Sequence, residues 1–386
     1  MTLQPSPAAV FLSLALAPAL LTSCSDGCVT CPVDLDDWPV ATPGSQGMNG
    51  KLLAGLTEEL RAGSLGPVSS LLIVRGGQLV YDEYFLGMDP DQLHNCYSVT
   101  KSFASVLIGI AQGTGAIGEL DTPLLDFFPG YPSVENDGEW KRAMTLRHAL
   151  QMRTGFEWDE WSVNYGTPDN PVTALFQSGD WIKHMLDQPM AAEPGTEFVY
   201  NTGVSLLFSG VIQNSLGMSA EAFAQEVLFG PMGIERWGWY TGPDGISDTG
   251  GGLLLRPRDM AKFGYLFLHD GLWEPTGERL FPSSWVEEST QRYSIWESGG
   301  GYGYQWWVLA AEVDGEQIFF PYAVGWGGQR IYVVPQLDMV VVMTAEGYDD
   351  EETFRSEILF DYVFPAADPI WTGSQALMEE VEFRVR

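Results

Sequence analysis

The chain has 386 residues, 51 acidic against 19 basic side chains, and a formal net charge of −32 at pH 7. Its length allows one large domain or two small ones, and 45% hydrophobic with 13% aromatic residues exclude global disorder. Because phosphate binding needs clustered cations, the negative charge argues against nucleic acid or an anionic membrane surface as partner. The sequence shows no series of long apolar segments, which argues against an integral membrane protein.

The N-terminal sequence predicts an export signal. The apolar run 8–21, AAVFLSLALAPALL, is too short to span a bilayer and is typical of the core of a signal peptide. It is followed by Thr22, Ser23 and Cys24, and Leu21-Thr22-Ser23-Cys24 resembles a bacterial lipobox, in which cleavage before Cys24 leaves a lipidated N-terminus. The first ten residues lack the usual Lys or Arg, so plain secretion and cytoplasmic retention stay open. We expect a signal peptide over 1–23 and a lipid-anchored protein of the cell envelope, in the periplasm or on the outer membrane.

Residues 24–45, which follow the signal, are predicted to form a tether because they are rich in Asp, Pro, Gly and Ser. Cys28 and Cys31 form a lone CVTC pair with no second pair and no nearby His, which argues against zinc and favours a local disulfide. Cys96 is left over and is predicted to be a small buried hydrophobe.

The folded domain is predicted over 46–386. Residues 49–62 have helical periodicity, and VSSLLIVRGGQLVYDEYF predicts a β-hairpin that turns at Gly76-Gly77. The pattern is then mostly helical from 98 to about 215, with another helix near 257. After Gly300 four strands follow in succession, and FRSEILFDYVF closes as a helix. Strands at both chain ends indicate an α+β fold, in which one antiparallel sheet (a lobe of about 46–95 and 245–386) is flanked by helices and carries a mainly helical insertion (about 96–244).

The first chemical signal is Ser98-Val99-Thr100-Lys101 at the start of an apolar helix. The i, i+3 spacing places the hydroxyl and the amine on one helical face. Free N–H groups at the helix start can stabilise an oxyanion, and a desolvated lysine can accept a proton from serine. Taken alone, the same residues fit a helix N-cap and a surface cation.

A series of ordered landmarks gives this motif its context. They are LLIVRGGQLVYDEYF, YSVTKSF, LDTPLLDFFP, MTLRHALQMRTGFEWDE, EPGTEFVYNTGVSLLFSGVI, RPRDMAKFGYLFL, YGYQWWV and GWGGQRIYVVPQLDMVVV. Over most of residues 38–365 the chain resembles the class C β-lactamase-like serine hydrolases, which include penicillin-binding proteins, esterases and 6-aminohexanoate-oligomer hydrolases. The resemblance implies a β-lactamase/transpeptidase-like fold, with the active site in a cleft between an α/β region and an all-α region.

The same resemblance implies roles for individual residues. Ser98 would be the nucleophile, and Lys101 its proton acceptor or electrostatic partner. Tyr200, in FVYNTG, matches the family's Tyr-x-Asn box and would move a proton between Ser98 and the leaving group. The N–H groups of Ser98 and Gln329 would form the oxyanion hole. Which of Lys101 and Tyr200 is the general base stays open.

Two departures from the family pattern bear on the substrate. Thr202 stands where the family has Asn, so substrate-amide recognition is less assured. Trp326-Gly327-Gly328 replaces the late Lys-Thr-Gly or His-x-Gly box, and a tryptophan carries no cation for a β-lactam carboxylate. This box resembles the esterase branch, and we expect Thr202 and residues 326–328 to bind substrate. Strand alternation argues against Arg330 as a replacement cation.

Other chemistries find no support in the sequence. The four histidines are scattered, so no metal site is expected, and no G-x-S-x-G elbow occurs. Glu157, Asp159 and Glu160 are interpreted as solvated acids of a loop. The remaining aromatics are assigned to the core or the cleft wall: Trp158, Trp161, Tyr165, Tyr302 and Trp306.

The sequence therefore predicts an exported serine hydrolase that needs no cofactor and cleaves a small ester, amide or peptide-like substrate through an acyl-enzyme. A β-lactamase or D-alanyl-D-alanine carboxypeptidase is the alternative within this class. A non-catalytic envelope lipoprotein that uses the fold as a binding module is the alternative outside it.

Overall fold

The computed structural model describes residues 38–348 and 356–377, all within one compact unit, Leu35–Arg386. The predictions for the signal peptide, for lipidation at Cys24 and for a Cys28–Cys31 disulfide lie outside the described residues. They stay predictions.

The helices and strands of the described residues agree with the predicted order. The α-helices are α1 (Gly50–Ala62), α2 (Thr100–Gly113), α3 (Glu139–Ala143), α4 (Leu146–Leu150), α5 (Pro171–Gln177), α6 (Trp181–Leu186), α7 (Thr202–Leu216), α8 (Ala220–Ala224), α9 (Pro257–Leu268), α10 (Ser283–Ser289) and α11 (Phe364–Ala367). The strands are β1 (Val68–Arg75), β2 (Gln78–Tyr84), β3 (His94–Asn95), β4 (Trp237–Trp239), β5 (Leu253–Leu255), β6 (Leu272–Trp273), β7 (Glu278–Arg279), β8 (Ser294–Ile295), β9 (Gly301–Tyr302), β10 (Trp307–Val313), β11 (Glu316–Gly325), β12 (Gln329–Val334), β13 (Met339–Ala345) and β14 (Gln375–Leu377).

One antiparallel sheet joins the two ends of the domain, which confirms the predicted architecture. Its strand order is β2-β1-β13-β12-β11-β10-β9-β8, and β14 pairs with β10. Ile73 in β1 lies between Tyr81 of β2 and Val341 of β13, so the early hairpin pairs directly with the last long strand.

Helices cover both faces of this sheet. Leu71 and Ile73 pack into a core shared with α1 and with the C-terminal helical segment Ile358–Val363. The alternate residues Leu72 and Val74 face the opposite core, which contains α2, α7 and α9. Because both faces of the sheet are covered, every residue of β1 from Val68 to Val74 is buried, and the stretch from Leu71 to Val74 is apolar without alternation.

Helix α2 is the central element of the inserted region. Every residue from Thr100 to Ala111 is buried, so α2 is an interior helix of the protein. It contacts α7 and α8, and it enters from the turn Tyr97–Val99, which contacts β11. The N-terminus of α2 therefore lies where the helical region meets the sheet.

The predicted end of the tether is wrong. The tether is expected to reach residue 45, but Trp38 is buried with its ring 5.6 Å from that of Tyr265, and the Ala41 N–H donates to the Leu79 carbonyl at 3.0 Å. Residues 38–45 are therefore part of the folded domain. The helical lobe expected over about 96–244 also contains the short strand β4, which pairs with β5 in a separate three-stranded sheet, β3-β5-β4. None of the helices given above combines the length and apolar character that crossing a bilayer demands.

Candidate active site

Ser98 occupies a tight turn at the mouth of α2. It lies in a single 3-10 turn, Tyr97–Val99, and Tyr97 has a φ of +46°, a left-handed conformation that costs energy for a residue with a side chain. Gly325, the last residue of β11, packs against this segment so closely that a Cβ atom there would lie 2.3 Å from the Cys96 carbonyl oxygen. The strand end and the serine turn are thus held in direct contact.

Lys101 is buried beneath Ser98 with an acceptor for each of its N–H bonds. Its Nζ donates to Ser98 Oγ at 2.9 Å, to Thr202 Oγ1 at 3.1 Å and to the Gly250 carbonyl at 2.6 Å. The side chain is 1% exposed. The predicted contact between Ser98 and Lys101 is confirmed, and the amine bridges α2, α7 and the loop before β5.

Burial also sets the protonation of Lys101. Desolvation lowers the pKa of Lys101 from 10.5 to about 8, although the carboxylates of Glu160 and Asp248 oppose the fall. With a pKa of this size, the amine is mainly charged at neutral pH and becomes neutral under mildly alkaline conditions. The group can therefore both hold a charge and accept a proton under mild conditions.

Glu160 is not the solvated acid that the sequence predicts. Glu157 and Asp159 are exposed, as expected, but Glu160 is 2% exposed. Its backbone carbonyl accepts a hydrogen bond from Asn170 Nδ2 at 3.0 Å, and Asn170 also caps α5. The prediction failed because it used local composition alone. The loop folds back onto the start of α7, and this long-range packing buries Glu160 but not its two acidic neighbours.

The Glu160 carboxylate organises the wall behind Lys101. Its oxygens accept the N–H and the hydroxyl of Thr202, both at 2.7 Å, the Nε1–H of Trp158 at 2.7 Å and the hydroxyl of Tyr165 at 2.8 Å. The Thr202 hydroxyl thus accepts from Lys101 and donates to Glu160. Thr202, which stands where the family has Asn, connects the lysine to a buried negative charge.

Asp248 is a second buried acid that the sequence reading missed. Its Oδ1 accepts the N–H groups of Gly250 and Gly251, both at 3.0 Å, and this turn points the Gly250 carbonyl at Lys101. Burial raises the pKa of Asp248 to about 6, and Lys101 opposes the rise. The available signal was an aspartate shortly before three glycines, since aspartates often accept N–H bonds from residues two or three positions on.

Tyr200 lies beside Lys101 with its hydroxyl buried. The Lys101 Nζ is 5.1 Å from the Tyr200 ring centre, and the Trp161 ring stacks on the Tyr200 ring with 5.1 Å between the ring centres. The hydroxyl is buried and makes no hydrogen bond of ordinary geometry within the described residues, but the Ser98 hydroxyl is near enough to lower the pKa of Tyr200 and partly offset the effect of burial. Burial, reinforced by Glu160, raises the pKa of Tyr200 far above 10, so the phenol is protonated at neutral pH.

The site opens onto a cavity of about 570 Å³. It brings together Ser98, Tyr200, Thr202 and Trp326, four of the residues predicted from the sequence. The remaining lining residues are Asn95, Tyr97, Tyr165, Gly166, Val172, Thr173, Phe176, Gln177, Tyr240, Asp248, Gly250 and Gly251.

The Trp-Gly-Gly box forms the turn between β11 and β12. The Trp326 ring lies 5.4 Å from that of Tyr97 and 5.1 Å from that of Tyr348. Gly327 and Gly328 have φ values of +82° and +103°, and a Cβ on Gly327 would lie 2.3 Å from the Tyr348 ring. Both positions need glycine for the shape of the turn, and neither is among the residues that line the cavity.

The two residues after the box hold the turn in place. Gln329 Nε2 donates to the Trp326 carbonyl at 3.1 Å and to the Ala345 carbonyl at 2.8 Å, so its side chain points at β13. Arg330 Nη1 donates to the carbonyls of Gly325 and Gln329, each at 2.9 Å. Arg330 is buried and is not among the residues that line the cavity, although its charge lies near enough to lower the pKa of Tyr200 slightly against the effect of burial. The role of the Gln329 N–H stays a prediction.

No metal-binding constellation is present in the part of the chain that the structure describes. Within these ranges no group of three or more His, Cys, Asp or Glu side chains comes together. The four histidines stay far apart in the sequence, at His94, His148, His184 and His269.

Comparison with known proteins identifies the family of the chain. A curated relative, the 6-aminohexanoate-dimer hydrolase of Paenarthrobacter ureafaciens, is 22% identical over 317 residues, 76% of this chain and 77% of the relative. A Bacillus anthracis structure assigned as a 6-aminohexanoate-dimer hydrolase has a TM-score of 0.67 at 21% identity and covers 87% of each chain. EstCE1, a hydrolase with promiscuous acyltransferase activity, has a TM-score of 0.64 at 16% identity, over 85% of this chain and 99% of its own. The Beta-lactamase family model matches residues 55–361, and the chain belongs to that family.

Proposed function

We propose that this member of a hydrolase family is a serine hydrolase that forms an acyl-enzyme on Ser98. The observation that carries the proposal is the Ser98 hydroxyl in the cavity wall, 2.9 Å from a buried lysine whose other N–H bonds go to Thr202 and Gly250. A lysine with a purely structural role can be satisfied by buried acceptors alone, whereas Lys101 also contacts a hydroxyl in the cavity wall. A nucleophile needs an adjacent group that can take its proton.

Lys101 is the general base in this proposal. When the amine is neutral, two N–H bonds still go to Thr202 and Gly250, and the lone pair turns to the Ser98 hydroxyl. The lysine pKa of about 8 suits this role, since a base works best with a pKa near the operating pH. The raised pKa of Tyr200 disfavours a resting tyrosinate as the base.

Acylation then moves two protons. Ser98 Oγ bonds to the substrate carbonyl carbon while its proton passes to Lys101. The oxyanion is held by the N–H of Ser98 and, as the family resemblance implies, that of Gln329. The bond to the leaving group breaks as the Tyr200 hydroxyl donates its proton to the leaving atom, and the nearby lysine cation stabilises the tyrosinate.

Deacylation restores the starting state. Water attacks the acyl carbon and gives one proton to the Tyr200 oxygen. The bond to Ser98 Oγ then breaks, and Lys101 returns its proton to the serine. The acid leaves and every side chain is back in its original protonation state, so the cycle consumes only water.

Esters and simple amides are the substrates that this site favours over β-lactams. Trp326 occupies the place of the lactamase cation, and no Lys, Arg or His is among the residues that line the cavity. A β-lactam carboxylate would meet an aromatic ring and the Asp248 carboxylate instead. Two similar proteins support this choice: the 6-aminohexanoate-dimer hydrolase named above and a family VIII carboxylesterase of the same fold.

The proposal is tested with Ser98→Ala and p-nitrophenyl butyrate. We expect turnover to fall by about a thousandfold or more, because the nucleophile is lost, and we expect the wild type alone to show an acyl adduct by mass spectrometry. Ser102→Ala is the matched control, since Ser102 lies on the same helix but donates to the Gln305 carbonyl and does not line the cavity.

Turnover by Ser98→Ala at the rate of Ser102→Ala would refute the assignment. Efficient nitrocefin hydrolysis by the wild type would leave Ser98 in place but reassign the enzyme as a β-lactamase.

A further inference from the structure

Three aromatic rings meet where the turn that carries Ser98 contacts the Trp-Gly-Gly turn. The Tyr97 ring lies 5.4 Å from that of Trp326 and 5.7 Å from that of Tyr348. The rings of Trp326 and Tyr348 are 5.1 Å apart, so the three residues form a three-ring cluster in which each ring contacts both others. Tyr97 and Trp326 also line the cavity.

Tyr97 adopts a backbone conformation that its residue type disfavours. Its φ of +46° lies in the left-handed region, where glycine is favoured and a residue with a side chain is strained. Its N–H donates to Asn95 Oδ1 at 2.9 Å, a hydrogen bond that a glycine at this position would also make. The turn itself would therefore form more easily with glycine, and what the tyrosine adds is its ring.

The Trp-Gly-Gly turn is hydrogen-bonded to the segment after β13 but not to the serine turn. The Gly347 N–H donates to the Gly327 carbonyl at 3.0 Å, just beyond the end of β13. Among the described residues, no hydrogen bond joins the turn Tyr97–Val99 to residues 325–329. The two turns are therefore coupled by packing, through the three-ring cluster and the close approach of β11 to the serine turn.

We propose that Tyr97 is a positioning residue, whose ring in the three-ring cluster keeps the N–H of Ser98 aligned with the N–H of Gln329 in the oxyanion hole. This inference rests on the proposed hydrolase function, because it concerns the same acylation step. One donor belongs to the serine turn and the other follows the Trp-Gly-Gly turn, so a shift between the turns changes the space that the oxyanion must fill. A displacement of about 1 Å can cost about a hundredfold in rate.

The test measures affinity for a transition-state analogue in Tyr97→Ala, with propylboronic acid as the probe. Ser98 Oγ bonds to boron while its proton passes to Lys101, and the tetrahedral anion places one boron-bound hydroxyl at the oxyanion position. We expect kcat for p-nitrophenyl butyrate to fall by about thirty- to a hundredfold per active site, with KM within about threefold of wild type. The Ki of propylboronic acid should rise by the factor by which kcat/KM falls.

Two controls separate alignment from folding, and fluorophosphonate titration counts the active sites in each sample. Tyr97→Phe keeps the ring and should recover kcat to within about fivefold of wild type. Tyr293→Ala removes another partly buried tyrosine ring, which stacks on Tyr304 at 4.9 Å outside the cavity, and should leave kcat and Ki per active site within about twofold. If Tyr97→Ala does not fold, Tyr97→Gly takes its place, because glycine adopts the left-handed turn without strain.

Several results would overturn the role of Tyr97. They are a kcat and a Ki per active site within about threefold of wild type in the variant without the ring, a fall in kcat with an unchanged Ki, or a Tyr97→Phe variant as slow as Tyr97→Ala. If Ser98→Ala keeps its esterase turnover, the proposed function fails and this inference with it. If Ser98→Ala is inactive but Tyr97→Ala behaves as the wild type, the serine hydrolase stands and only the role of Tyr97 is wrong.

Discussion

Lys101 and Lys141 are both buried amines with three acceptors, but they are surrounded by different chemistry. Lys141 Nζ donates to the carbonyls of Glu135, Leu186 and Gln188 at 2.7, 2.7 and 2.6 Å. Lys101 donates to one carbonyl and to two hydroxyls. Burial lowers the pKa of both amines.

The difference lies in what the partners can do. Three backbone carbonyls only accept hydrogen bonds, so Lys141 can tie the loop before α3 to the end of α6 and nothing more. The Ser98 hydroxyl can give its proton to the amine when the amine is neutral. The Thr202 hydroxyl donates a hydrogen bond to the Glu160 carboxylate. A buried lysine is therefore not in itself a sign of catalysis, and the hydroxyl partners and the cavity make the distinction.

Lys101→Met gives the largest expected effect. Turnover of p-nitrophenyl butyrate should fall by about a thousandfold or more, because the general base is removed. Stability should change much less, because the donor that the Gly250 carbonyl loses is offset by the removal of a buried charge. A pKa lowered from 10.5 to about 8 means that burying the charged amine opposes folding by about 3 kcal/mol below pH 8, a penalty that disappears as the pH rises toward 10.5.

The measurement is steady-state kinetics with a thermal melt at pH 7. Met is chosen because it keeps the length and apolar stem of lysine. A variant with near wild-type kcat would contradict the role of Lys101, and a large drop in melting temperature would show that the lysine is chiefly structural.

Glu160→Gln should have an intermediate effect. Gln offers one acceptor oxygen in place of two, so at least one of the hydrogen bonds that hold Thr202, Trp158 and Tyr165 is lost. We expect kcat/KM to fall by about ten- to a hundredfold. Because Glu160 raises the pKa of Lys101, its removal should also move the rising limb of the pH profile to lower pH.

A pH-rate profile separates these effects from simple unfolding. Glu157→Gln, on the same loop but exposed, should match the wild type in both rate and profile. An unshifted profile in Glu160→Gln would mean that the carboxylate does not act on the lysine.

Lys141→Met should change turnover least. It leaves three carbonyls without their donor, so we expect the free energy of unfolding to fall by about 2–4 kcal/mol. The folded fraction should turn over within about twofold of wild type, because Lys141 is absent from the cavity lining. Denaturant melts beside kinetics at a permissive temperature check this. A thousandfold loss of kcat in the folded variant would contradict the purely structural role of Lys141.

The sequence was most informative where the interactions are local. The Gly76-Gly77 hairpin and the i, i+3 contact of Ser98 and Lys101 follow from spacing along one element, and both are confirmed. Family motifs added Tyr200 and Trp326, which the structure places in the same cavity.

The sequence was least informative where distant segments close on the site. Glu160 reaches Thr202 across 42 positions, and Lys101 reaches Gly250 across 149. No local pattern tells a buried acid from a solvated one in a loop such as residues 157–160, because burial depends on what packs over it. The burial of Trp38 was not predicted for the same reason, since it depends on contact with the distant Tyr265.

The rate at which a fluorophosphonate labels Ser98, followed against pH and located by peptide mass spectrometry, tests the central claim most directly. We expect the label on the peptide that contains Ser98, with a rate that rises with pH and levels off above an apparent pKa of about 8, as the Lys101 amine loses its proton. A label on another residue, or a rate that does not change between about pH 6 and pH 10, would contradict activation of Ser98 by Lys101.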